Sequence, residues 1–238
     1  MMHRLTLLLV VVTASACADS GDEGFFIRNN IKAGEGCAVT PGGAFLSRGT
    51  MALGASTPYT LTPEIVSRIT ATQDNQNQRT VALRGARVEL SVEGMTVNGE
   101  SAAPPSLTNS KFTSLFSASL SPEGATTASF DAVSTAAINE LSEKAPAGRV
   151  QIQLLAKVIV YGNLGGGDDE MEGVPFYYPI TACNDCVVNV VGSCPLPFGT
   201  VPRAGNDCNV FQDGVVDCCV DADGFAICPA IVSTTPPA

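Results

Sequence analysis

Residues 149–161 read RVQIQLLAKVIVY. Val150, Ile152, Leu154, Ala156, Val158 and Val160 are all apolar, whereas the odd positions mix Gln151, Gln153 and Lys157 with Leu155 and Ile159. Six alternations in a row match the two-residue repeat of a half-buried strand, not the roughly 3.6-residue repeat of a helix. A glycine-rich acidic loop is expected over residues 162–173, and Val174, Phe176, Tyr178 and Ile180 alternate after it, so the pattern predicts a long hairpin with a loose tip. Residues 80–92 form a second strand whose parity slips: Val81 and Leu83 share one phase, Ala86, Val88, Leu90 and Val92 the other. Gly85 stands at the change, which predicts a bulge there that keeps both halves on the core. Further strands are expected at 25–31, 50–53, 59–69, 111–120 and 125–130. One helix is expected, capped by Ser134, with Ala137, Ile138, Leu141 and Ala145 on one stripe and Pro146 as its stop. Many short strands and one helix predict an all-β fold, an antiparallel β-sandwich of immunoglobulin-like architecture spanning residues 25–182.

The composition changes at Cys183. Residues 183–228 hold seven cysteines and six aspartates against one base, Arg203. So short a secreted segment buries too little apolar surface by itself, and disulfides are the expected remedy. The reading is a stapled module over 183–229 and a loose tail over 230–238. Cys37, Cys183, Cys186, Cys194, Cys208, Cys218, Cys219 and Cys228 are expected in disulfides. Cys208-NVFQDGVVD-Cys218 and Cys219-VDADGFAI-Cys228 each carry a central Asp-Gly, a strong hairpin signal. Their terminal cysteines are the natural pairs, 208 with 218 and 219 with 228, and Cys37 must then reach the module from the N-terminal region.

Three other uses of these residues have distinct requirements. Cys183-Asn-Asp-Cys186 has the spacing of thiol oxidoreductases, whose attacking thiol is activated at a helix N-terminus; here strand-like Val187–Val191 follows, beside an acidic residue. A four-cysteine zinc site needs a second C-x-x-C, which the sequence lacks. Asp221-Ala-Asp223-Gly224 matches part of a calcium loop, but aligning Gly224 puts Cys219 and Ala230 where acidic ligands belong. Asp-Gly is therefore read as turn chemistry, and the acids of 168–172 as a solvated loop. No metal site and no cofactor is expected.

The single histidine, His3, lies in the leader, and tryptophan is absent. Without its leader the chain has no imidazole, which excludes Ser-His-Asp and Cys-His catalysis and histidine-ligated zinc. Removing Arg4 with the leader leaves 12 bases against 23 acids. So acidic a surface repels phosphate backbones, and nucleic-acid binding is not expected.

The N-terminus reads MMHRLTLLLVVVTASACADSGDEG. A short basic start, an apolar run and then small residues have the layout of a secretory signal peptide. Thr13-Ala14-Ser15-Ala16-Cys17 resembles the lipobox of bacterial lipoproteins, with Ala14 where leucine is usual. Ordinary cleavage after Ala16 or Ala18 also fits the small-residue rule. Removing Cys17 from thiol chemistry leaves an even set of eight. The expectation is a leader over 1–16, then a lipidated Cys17 and polar tether over 17–24. The chain resembles cysteine-tailed surface lipoproteins of bacteria. The resemblance implies a cell-envelope location, with Ala18 favouring the outer membrane, anchorage by lipid and an envelope protein partner. The expected function is non-enzymatic: a structural, adhesive or binding module. The alternatives are an envelope enzyme or thiol oxidoreductase using Cys183 and Cys186, and a calcium-dependent adhesion module.

Overall fold

The computed structural model describes residues 24–71, 79–165, 167 and 170–234. In chain order the strands are β1 (Phe25–Ile31), β2 (Phe45–Leu46), β3 (Gly49–Ala52), β4 (Tyr59–Leu61), β5 (Pro63–Ser67), β6 (Val81–Val97), β7 (Glu100–Ala102) and β8 (Lys111–Leu120). They continue with β9 (Ala125–Thr127), β10 (Phe130–Val133), β11 (Val150–Leu164), β12 (Glu170–Glu172), β13 (Phe176–Cys183), β14 (Val188–Ser193), β15 (Val216–Val220) and β16 (Ala226–Ile227). Helix α1 (Thr135–Lys144) precedes β11.

The body is an all-β sandwich. One sheet runs β2-β1-β5-β9, the other β3-β13-β11-β6-β7 with β8 also on β6 and β12 on β11; the pair β10-β4 completes it. Phe25, Ile27 and Ile65 from the first sheet meet Val81, Leu83, Ile152, Leu154 and Ile180 from the second in one core. Burial follows the alternation predicted for β11: Val150, Ile152, Leu154, Ala156, Val158 and Val160 are all buried. In β6 the register with β8 shifts between Leu83 and Gly85, and the register with β11 shifts beside the pair Tyr161↔Gly85. That bulge puts Leu83 and Ala86 both in the core. A Cβ on Gly85 would meet the Ser114 carbonyl oxygen and the Tyr161 hydroxyl, each at 2.8 Å, so glycine is required for close approach.

Helix α1 starts where its cap predicts, with Ser134 Oγ accepting from the Ala137 N–H at 3.2 Å. Ala137, Ile138 and Leu141 are buried, and the helix ends before Pro146.

The expected loose tail is docked over residues 230–233: Ala230 is buried, its N–H donates to the Asp217 carbonyl at 2.7 Å, and the Leu196 N–H donates to the Ile231 carbonyl at 2.8 Å. Three further details depart from the sequence expectations. Residues 59–69 do not form one strand: the chain changes sheets at Thr62, so β4 pairs β10 while β5 pairs β1 and β9. Residues 125–130 split in the same way into β9, paired with β5, and β10, paired with β4, so the two segments leave the first sheet together. The ladder β11 runs on to Leu164 and is paired there by β12, so part of the expected loose loop is strand. Asp168 and Asp169, the tip of that acidic loop, lie outside the described residues. Most pairings are antiparallel, but β13–β3 and β14–β15 are parallel.

The C-terminal sheet, β14-β15-β16, follows β13 directly. β11 begins beside it, where the Asn184 N–H donates to the Val150 carbonyl at 3.3 Å, and ends beside β12. The module and the residue-24 end of β1 therefore occupy opposite ends of the long strands, since the Arg68 N–H donates to the Gly24 carbonyl and Phe26 bridges Val174.

Candidate functional site

The sulfur framework follows from strand geometry. The eight cysteines from Cys37 onward join as Cys37–Cys208, Cys183–Cys186, Cys194–Cys219 and Cys218–Cys228. The expected pairs 208–218 and 219–228 are both replaced. Residues 219–228 do contain a hairpin around Asp-Gly, but its register places Cys219 opposite Ile227 and Val220 opposite Ala226. Cys218 is then the residue facing Cys228, with Cα atoms 4.5 Å apart. Successive strand residues point to opposite faces, so Cys219 turns the other way and meets Cys194. A one-residue change of register exchanges the two faces, and the sequence spacing does not distinguish them.

Residues 208–218 are not a hairpin at all. Their Asp213-Gly214 step inserts into the body. The Asp213 backbone is left-handed, with φ of 53°. Its carboxylate Oδ1 accepts from the Thr50 N–H at 2.8 Å and its Oδ2 from the Tyr59 O–H at 2.7 Å. Gln212 bonds both ways with Thr60: Oε1 accepts from the Thr60 N–H at 2.9 Å and Nε2 donates to the Thr60 carbonyl at 3.0 Å. Asn209 Nδ2 donates to the Pro58 carbonyl at 3.0 Å. Behind them the Tyr59 and Tyr178 hydroxyls are 3.3 Å apart, and Asn30 Nδ2 donates to Tyr178 at 3.0 Å.

This junction is electrostatically costly and well satisfied. Burial raises the Asp213 pKa, an effect opposed by the donors Thr50, Tyr59 and Gln212 and by the charge of Lys32. Burial is also the main cause raising Tyr59, followed by the charge of Asp213. A cavity of about 320 Å³ lies against Asp213, walled by Asn30, Thr60, Thr62, Cys37 and Cys208. A more open groove of about 630 Å³ continues past Asp213 to Lys32, Glu35 and Asp207. The amides and hydroxyls at the junction already bond one another, so its chemistry is that of a joint.

Asp221 and Asp217 have local partners. Asp221 Oδ1 accepts from the Asp223 and Phe225 N–H groups at 3.0 and 2.8 Å, closing the turn at Gly224, whose φ is 88°. Asp217 receives Arg203 and the Asn189 amide, and Arg203 above all holds its pKa well below the usual carboxylate range. Among the described residues, no group of three or more His, Cys, Asp or Glu side chains is placed to hold a metal ion. Cys183 is buried at the end of β13, and the run after Cys186 leads into strand β14 rather than into a helix. Cys17 lies outside the described residues.

Sequence reading missed Asn30, Tyr59, Tyr178, Gln212 and Asp213 as a group. Their one local signal is the Asp-Gly step, which is equally a turn signal. Comparison with known protein families, curated proteins and solved structures finds no match.

Proposed function

We propose that the protein is a non-enzymatic lipoprotein of the cell envelope, held by a lipid on Cys17, that presents a structural, adhesive or binding surface. What supports this reading is the sulfur framework: all eight cysteines outside the N-terminal segment are paired, so Cys17 is the one thiol left over for a lipid. Two or more acyl chains on one cysteine suffice for stable anchorage. The polar groups at the body–module junction support the non-catalytic part, because they are committed to each other. In this arrangement the tether leaves from residue 24 and the stapled module stands at the far end of the sandwich. β11, which runs between the two ends, has 15 residues, at roughly 3.3 Å per residue a strand of about 50 Å.

The test is metabolic labelling with an alkyne fatty acid in a bacterial host, comparing the intact chain with Cys17→Ala. Label on the intact chain and none on the variant supports the reading. An unlabelled intact chain that is released as a soluble product sinks it. Capture from envelope extract with the oxidised protein then identifies the partner that the binding role requires.

A further inference from the structure

We infer that Cys37–Cys208 is the exchangeable disulfide of this protein, a redox-modification site for a dithiol reductant, and that its reduction releases the segment 32–44 from the groove over Asp213. Three observations carry this.

The first is exposure. Cys37 and Cys208 are both exposed, whereas Cys183, Cys218 and Cys219 are fully buried and their partners Cys186, Cys228 and Cys194 are half-buried. Thiol–disulfide exchange needs a thiolate to reach a sulfur, and exposed bridges are the labile ones. The second is location. Both cysteines line the cavity against Asp213, and the groove beside it is walled on one side by residues 31–44 and on the other by 205–214. The bridge thus joins the two walls of one opening.

The third is how the rest of segment 32–44 is held. It contains no buried residue and four glycines. The hydrogen bonds that shape it run within the segment, from Gly34 to Ala38, Cys37 to Gly34 and Gly43 to Thr40, and to the body, from the Gly42 N–H to Glu64 Oε1. Its covalent link to the module is Cys37–Cys208. The other wall keeps its own attachments through Asn209, Gln212 and Asp213. Breaking the bridge therefore frees one wall and leaves the other docked.

The chemistry balances as a two-electron exchange. A thiolate of the reductant attacks one Sγ, forming a mixed disulfide as the Cys37–Cys208 bond breaks, and the departing thiolate takes up a proton. The reductant's second thiol displaces the remaining cysteine. Two protein thiols and an oxidised dithiol result.

The experiment titrates the oxidised mature protein with dithiothreitol, quenches with an alkylating agent and maps the labelled peptides. The expected result is that the first two labels fall on Cys37 and Cys208 at a reductant level that leaves the other six cysteines unlabelled. First labelling of Cys183 and Cys186, of any other pair, or of all eight together overturns the inference. Hydrogen exchange on the selectively reduced protein supplies the second arm. Faster exchange confined to 32–44 and the facing 205–208 is expected, with β11 unchanged and with the same pattern in Cys37→Ser/Cys208→Ser. Unchanged exchange at 32–44 after reduction, or acceleration throughout the chain, overturns the release.

Discussion

The body and the C-terminal module solve the same problem by different means. Among the described residues, the body has 28 buried side chains in one cluster. The module's two clusters have three each, and one of those includes Ala52 of the body. Each small cluster contains at least one disulfide cysteine, Cys183 in one and Cys219 in the other. Where apolar area is plentiful, packing does most of the ordering. Where it is scarce, covalent closure restricts the unfolded ensemble instead. The contrast teaches which perturbation each region should feel.

The largest single-site effect belongs to the body. Leu154→Ala removes a buried side chain from the centre of β11 and should cost about 2–5 kcal/mol in chemical denaturation. A loss as small as that of an exposed residue would break the contrast. Next comes the module: Cys194→Ser/Cys219→Ser opens a bridge of sequence separation 25 and should cost about 2–4 kcal/mol. Hydrogen exchange should show the change in β14–β16 and spare β6 and β11. Uniform loosening of both regions would mean that they are one cooperative unit.

The joint between them is smaller. Asp213→Ala leaves the Thr50 N–H and the Tyr59 hydroxyl without their acceptor, at a cost of about 1–3 kcal/mol. Two acids near it should respond to pH in opposite directions. Burial raises the Asp213 pKa, so the folded chain holds that proton more tightly than the unfolded chain does. The ionised group costs stability above its raised pKa, and the cost disappears below the unfolded value near about 3.9. The deficit of Asp213→Asn relative to wild type should therefore widen on acidification from neutral pH. Arg203 lowers the Asp217 pKa, so its stabilisation is present above the usual carboxylate range and lost as pH falls through the lowered value. The deficit of Asp217→Asn should narrow at still lower pH, below the usual carboxylate range, where the Asp213 effect is already complete. Denaturation curves at the two pH extremes check both slopes. The smallest effect is expected at the surface. Arg87→Ala removes ion pairs to Glu170 and Glu172 that are largely exposed, and should change stability by under about 1 kcal/mol.

How much was legible follows from the range of each interaction. The alternation of β11, the slip at Gly85 and the Ser134 cap are written in neighbouring residues, and the structure shows all three. The change of sheet at Thr62 was not legible, because either strand half could continue the apolar pattern. Its cause is distant, with Asn30 Oδ1 accepting from the Thr62 N–H across 32 positions. Asp213 was read as a turn residue because its partners Tyr59 and Thr50 lie 154 and 163 positions away. The cysteines were legible as a paired set and illegible as pairs, since adjacent Cys218 and Cys219 differ only in which face of β15 they leave.

The bond between Cys37 and Cys208 spans 171 positions and encloses nearly the whole sandwich in a covalent ring. A protease that nicks the backbone once anywhere inside that ring produces no fragment: both halves stay one molecule, with the residue-24 end and the C-terminal pole still joined. Damage of that kind becomes visible as a loss of mass only after the sulfur link is opened, and a cut chain can go on holding its two ends together.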